Sequence, residues 1–111
     1  MEVRAVAKYV GLSAQKVRLY AGLVRGKKAD ESLAILRLSP SPAARALAKV
    51  VRSASANAEN NYQMAPSDLK IVRVFIDQGA TLKRIRAQSR GRVSPILKRS
   101  SHITVIVDVE E

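Results

Sequence analysis

The sequence predicts an α+β fold, and three observations point to it. Residues 3–10, 69–77 and 102–109 have the alternation or β-branched richness of strands. Three segments between the first two of these repeat apolar residues at helical spacing. Residues 78–101 form a basic stretch of 24 residues, too long for an ordinary connection in a compact chain. With 111 residues, 47% of them hydrophobic, the chain has material for one modest core, so one globular unit is expected.

In the first strand Val3, Ala5, Ala7 and Tyr9 share a face, and Gly11 ends it. Ser13 is the expected N-cap of a helix over about 14–25, with Val17, Ala21 and Val24 as its apolar stripe and Gly26 as its stop. Asp30 is expected to cap a second helix over 31–38, which Ser39-Pro40 terminates. Ser41-Pro42 opens the third and longest helix, about 43–61, with proline at its favoured first position. Leu47, Val50, Val51, Ala54 and Ala58 face the body, Arg45, Lys49 and Arg52 lie on another side, and the many alanines imply close packing. After a loop around Met64-Ala65-Pro66, the strand over 69–77 sets Val72, Val74 and Ile76 on one face and Ile71, Arg73 and Phe75 on the other. The last strand, 102–109, turns Ile103, Val105, Val107 and Val109 inward.

Charge is unevenly distributed. Twenty Lys and Arg against nine Asp and Glu give a net +11. Residues 1–28 hold seven bases and one acid, residues 29–77 six and five, and residues 78–107 seven bases and no acid. A near-neutral middle flanked by two basic zones suits a polyanion met from two directions, because Lys and Arg neutralise phosphates and release condensed counterions. If residues 78–101 turn back near Arg90-Gly91, each arm of about 11 residues reaches roughly 35 Å at ~3.3 Å per residue. With few large apolar groups and mutually repelling cations, such an arm is expected to be mobile at its tip alone and ordered on a polyanion.

Several functions are excluded. Without cysteine there is no disulfide, thiolate zinc site or thiol nucleophile. The longest stretches free of charge are eight residues, far short of the roughly 20 a bilayer span needs, and no secretory leader is expected; the cytoplasm, or an organelle matrix, is the expected compartment. The glycines at 22 and 26 are one residue too close for a phosphate loop, and Lys28 stands where its Ser or Thr belongs. Ser100, Ser101, His102 and Asp108 cannot form a triad, since six strand residues separate His102 from Asp108 by roughly 20 Å. The lone histidine is expected to be structural or to hydrogen-bond a partner, with no metal or cofactor. Asp30 and Glu31 at the start of the second helix argue against a helix-turn-helix reader of duplex DNA. Tyr9, Tyr20, Tyr62 and Phe75 are expected in the core. What remains is recognition of RNA shape and backbone by dispersed Lys and Arg, with Ser53, Asn57, Asn60 and Asn61 available beside them. A free architectural nucleic-acid-binding protein is the alternative.

Residues 13–19 (SAQKVRL), 25–28 (RGKK), 53–60 (SASANAEN), 81–84 (TLKR), Gly91-Arg92 and 96–105 (ILKRSSHITV) together resemble the large-subunit ribosomal protein twenty-two family of bacterial type. The resemblance runs in order along nearly the whole chain. It implies three helices packed on a small three-stranded antiparallel sheet, with a long extended β-hairpin projecting from it, the whole of 1–111 acting as one RNA-binding domain and 78–101 as the protruding basic hairpin. It implies a structural, non-enzymatic constituent of the large ribosomal subunit that binds 23S rRNA and organises it during assembly. The hairpin would line the nascent polypeptide exit tunnel near ribosomal protein four, one monomer per ribosome. Carried onto this chain, Lys16, Arg18, Arg25, Lys27 and Lys28 would hold RNA at the body, and Lys83, Arg84, Arg86, Arg90, Arg92, Lys98 and Arg99 along the hairpin. Asn57, Asn60 and His102 complete the expected RNA-binding set. Gln88, Ser89, Arg90, Gly91 and Arg92 would form the tunnel-lining tip. The family usually carries Gly-Pro where this chain has Gly79-Ala80, and Pro-Arg where it has Ala87-Gln88.

Overall fold

The computed structural model describes residues 2–79, 82–87 and 93–109, the two segments 82–87 and 93–98 by their backbone. Strand β1, Val3–Val10, leads into helix α1, Ala14–Val24, then α2, Ala29–Arg37, and α3, Pro42–Tyr62. A single 3-10 turn, Pro66–Asp68, precedes β2, Leu69–Gln78. The arm strands β3, Leu82–Ala87, and β4, Val93–Lys98, come before β5, Ser101–Val109.

The body is a three-stranded antiparallel sheet in the order β1-β5-β2, with the helices on one face. β5 takes the centre because it has the highest density of β-branched residues and must bury backbone on both edges. Ile103, Val105 and Val107 are fully buried, in one core with Val17 and Val24 of α1 and Leu47 and Val51 of α3. Val109, expected on the same face, is exposed at the strand's end. The alanines of α3 do what their size predicts: Ala44, Ala54 and Ala58 have no exposed surface and let the helix backbone approach the sheet.

Three local expectations need correction. Ser13 occupies the N-cap position of α1, but its side chain makes no capping hydrogen bond. Asp30 lies inside the first turn of α2 rather than capping it; Lys28 is the N-cap, and Asp30 and Glu31 complement the positive end of the helix dipole. Strand β2 does not alternate throughout, because its pairing with β5 shifts register between Ile71 and Arg73. The bulge turns Val72 outward and brings Ile71 into the core alongside Leu69, Val74 and Ile76. The Ser41-Pro42 start is as expected: Ser41 Oγ accepts from Ala43 N at 3.3 Å with Pro42 at N1.

β3 and β4 pair antiparallel, from Leu82 opposite Lys98 to Ala87 opposite Val93, and form a sheet separate from that of the body. The arm is therefore a hairpin, and its strands are distinct from β2 and β5 rather than continuous with them. At its root Gly79 N donates to Ser100 O at 2.9 Å. A Cβ at Gly79 would lie 2.6 Å from Ser100 Oγ and 3.1 Å from His102 Cε1, so only glycine lets the two chains close there without displacement. The long axis of the molecule is 64 Å against 25 and 18 Å across, and the 16.9 Å radius of gyration exceeds the roughly 13 Å of a compact chain of this length. The expected tip, Gln88 to Arg92, lies outside the described residues.

Candidate nucleic-acid interface

β2 is an edge strand, and an edge leaves a row of backbone groups unpaired. The segment from α1 to α2 satisfies this row. Gly26 N donates to Ile71 O at 3.0 Å, and Ile71 N donates to Lys27 O at 2.9 Å. Farther along the strand Arg25 Nη2 donates to Val74 O at 2.8 Å, and Arg18 donates to Ile76 O from both Nη2 at 2.8 Å and Nε at 3.2 Å. Seven residues of helix separate the two arginines by about 10.5 Å, against roughly 6.6 Å between their carbonyls at ~3.3 Å per strand residue, a difference that the long side chains span.

Arg18 and Arg25 thus have a structural task that sequence reasoning did not assign. The carbonyls they bind are neutral, so both keep their full charge, and both side chains remain exposed with donors to spare. Lys27 and Lys28 are exposed as well, so four cations form one strip along the β2 edge, whereas exposed Lys16, two residues before Arg18, lies on another side of α1. Gly26 makes the strip possible: its φ of +83° turns the chain out of α1, and the isolated bridge between Lys28 and Lys70 follows.

The strip leads to the root of the arm. His102 is half-buried on β5 opposite Asp77 of β2, one residue beyond the carbonyl that Arg18 holds, and exposed Arg99 is three residues before it. Lys83, Arg84 and Arg86 lie on β3 and Lys98 on β4. Arg90 and Arg92 lie outside the described residues. The structure does not bring Asn57 and Asn60 to this strip. They lie near the end of α3 against β1, the opposite edge of the sheet, where Asn57 Nδ2 donates to Arg4 O at 3.5 Å and Asn60 is exposed. Asn57, Asn61 and Tyr62 line a cleft of about 500 Å³ there with Glu2, Arg4 and Ile106.

A second group of cations was legible in the helical spacing of α3 but not selected. Arg45, Lys49 and Arg52 stand with Arg37 of α2 around a cleft of about 600 Å³ floored by Leu33, Leu36 and Ala48, with no acid in its lining.

The sequence matches the ribosomal protein L22p/L17e family over residues 5–108. The chain belongs to that family. It is 60% identical over 107 residues to the large ribosomal subunit protein uL22 of Dehalococcoides mccartyi, covering 96% of this chain and 98% of the relative. The proteins of the same name from Herpetosiphon aurantiacus and Desulforamulus reducens are 52% and 49% identical, each covering at least 95% of both chains.

In this L22p/L17e chain the residues once considered for hydrolysis are placed apart. Ser101 Oγ is fully buried, and Asp108 stands six residues along β5 from His102. Among the described residues no three His, Asp, Glu or Cys side chains gather where a metal could be held. No helix among them is long and apolar enough to cross a membrane. The aromatic residues need correction. Tyr20 packs partly buried against the core, but Tyr62 and Phe75 are exposed. Phe75 shares its face of β2 with Arg73, and the helices cover the other face.

Proposed function

We infer that this chain is a structural constituent of the large ribosomal subunit, binding 23S rRNA through Lys and Arg contacts to phosphate and catalysing no reaction. The observation that carries the reading is its near full-length identity with proteins named as large-subunit components. The chemistry agrees. A strip of four exposed cations along one sheet edge and an arm holding seven bases and no acid within residues 78–107 are suited to two separate stretches of polyanion.

Residues 1–111 act as one RNA-binding unit in the cytoplasm. The body docks on RNA along the β2 edge, through Arg18, Arg25, Lys27 and Lys28, with Lys16 reaching RNA from another side of α1. The arm passes between RNA segments through Lys83, Arg84, Arg86, Arg90, Arg92, Lys98 and Arg99, and so fixes their relative placement during assembly. His102 and Arg99 mark the passage from one to the other. With its tip at Gln88 to Arg92 the hairpin forms part of the wall of the nascent polypeptide exit tunnel, beside ribosomal protein four and in contact with the growing chain. One copy acts in each subunit.

Sucrose-gradient sedimentation of a cell extract tests this. One copy of the chain per large subunit is expected, retained through a moderate-salt wash. A pool that stays at the top of the gradient or follows the nucleoid would replace this reading with that of a free architectural nucleic-acid binder. Nucleotide-resolution crosslinking from the arm to 23S rRNA tests the finer claim, and an arm without RNA adducts in assembled particles would remove it.

A further inference from the structure

Among the described residues, nothing covers the face of the sheet away from the helices. Its centre is a row of three side chains across the strands: Val6 on β1, Thr104 on β5 and Phe75 on β2. Val6 is 46% exposed and Phe75 is 47% exposed, large values for apolar side chains adjoining a packed core. Two inter-strand spacings make the row about 10 Å wide, enough for one nucleobase and its ribose. The next row is Arg4, Ile106 and Arg73, in which Ile106 is buried between two arginines, and Arg73 Nη2 lies 3.5 Å from Glu2 Oε1. Exposed Lys8 follows Val6 along β1. Asp77 stands opposite His102 in the row on the other side of Phe75, as near the ring as Arg73, and Asp108 stands at the far end of this face.

The cleft of Asn57, Asn61 and Tyr62 adjoins the arginine row through Arg4 and Ile106, and Tyr62 is 50% exposed. One connected surface therefore offers an aromatic face, cations beside it, and two amides with a phenol a short step away. Amides donate and accept at base edges, aromatic rings stack on bases, and neither is needed to hold a duplex by its phosphates. The β2 strip and the arm have the opposite character, with cations and no exposed aromatic ring among the described residues.

The geometry points to a second mode of RNA contact: the open sheet face binds unpaired nucleotides, with a base stacked on Phe75 and its neighbour read by Asn57 and Asn61 in the cleft beside Tyr62. This rests on the RNA-binding reading above and adds to it a site for single-stranded nucleotides. Arg4, Lys8 and Arg73 supply the phosphate contacts of that strand.

Binding of the full chain to a ten-nucleotide single-stranded oligoadenylate and to a blunt RNA duplex of equal length, each at several salt concentrations, separates the two modes. Phe75→Ala and Phe75→Leu should each weaken single-strand binding by about five- to a hundred-fold, as loss of one stacked base does, and Phe75→Trp should restore it. The salt slope should stay unchanged, because no cation is lost, and duplex binding should be unaffected. Phe75→Leu keeps the apolar bulk on the sheet, and a circular dichroism spectrum matching the parent chain confirms the fold. Parent-like single-strand binding by the leucine variant, or an equal loss on duplex, would overturn the proposal and leave the phosphate-contact reading standing. A parent chain that binds neither RNA would overturn both. In assembled subunits a photo-crosslinker at position 75 should give an RNA adduct, and a protein adduct in its place would overturn the single-strand site.

Discussion

The guanidinium of Arg18 donates two hydrogen bonds to the carbonyl oxygen of Ile76, from Nη2 at 2.8 Å and Nε at 3.2 Å. The contact joins a helix to the exposed edge of a sheet across 58 residues of sequence. It blocks that edge from pairing with another chain, and the charge still faces solvent. Arg18→Lys keeps the charge but not the two-pronged geometry. The expected outcome is a loss of about 1 kcal/mol in urea unfolding with the salt slope of RNA binding nearly unchanged. Unaltered stability would show that the contact does not hold the edge.

Two residues with left-handed backbones give opposite expectations. Gly26, at φ +83°, ends α1, and Gln63, at φ 54°, caps α3. Gly26→Ala should destabilise the fold by about 1 kcal/mol, and Gln63→Gly should stabilise it by about 0.5 to 1 kcal/mol through relief of the same steric cost. Thermal unfolding of both variants measures this, and shifts of the same sign would refute the backbone argument.

Ser101 Oγ is fully buried and, among the described residues, is the side-chain polar atom found there without a hydrogen-bond partner. Removing such a hydroxyl ends its desolvation penalty and leaves a cavity no larger than one atom. Ser101→Ala should be neutral or stabilising by about 1 kcal/mol in chemical denaturation. A loss of more than about 1 kcal/mol would mean that the hydroxyl is hydrogen-bonded in solution.

Because β3 and β4 form a sheet of their own, removing residues 82–98 and joining the ends with a short turn at the Gly79–Ser100 closure should leave the body folded. If the six cations removed with residues 82–98 each meet a phosphate, the parent chain should lose affinity with salt at a log-log slope of roughly four to five more than the shortened chain, at ~0.7 to 0.9 per contact. Fluorescence anisotropy with an rRNA fragment across a salt series reads this difference, and equal slopes would remove the arm from RNA binding.

The secondary structure was legible because its causes are local. The bounds of β1, the Ser41-Pro42 start, the Gly26 stop and the buried stripe of α3 follow from period and turn chemistry within a few residues. The basic character of the arm and of residues 16 to 28 is also written in the order of the residues, as is the family resemblance. The position of a strand within the sheet is not local. Tertiary structure alone made β2 an edge, and that gave Arg18 and Arg25 carbonyls to bind. The bulge at Val72, which carries Ile71 into the core, depends on the pairing partner in the same way. The exposure of Phe75 was decided by which face of the sheet the helices cover, a choice set by the summed packing of α1 against β2 and of α3 against β1 and β5. No window of sequence around Phe75 contains it.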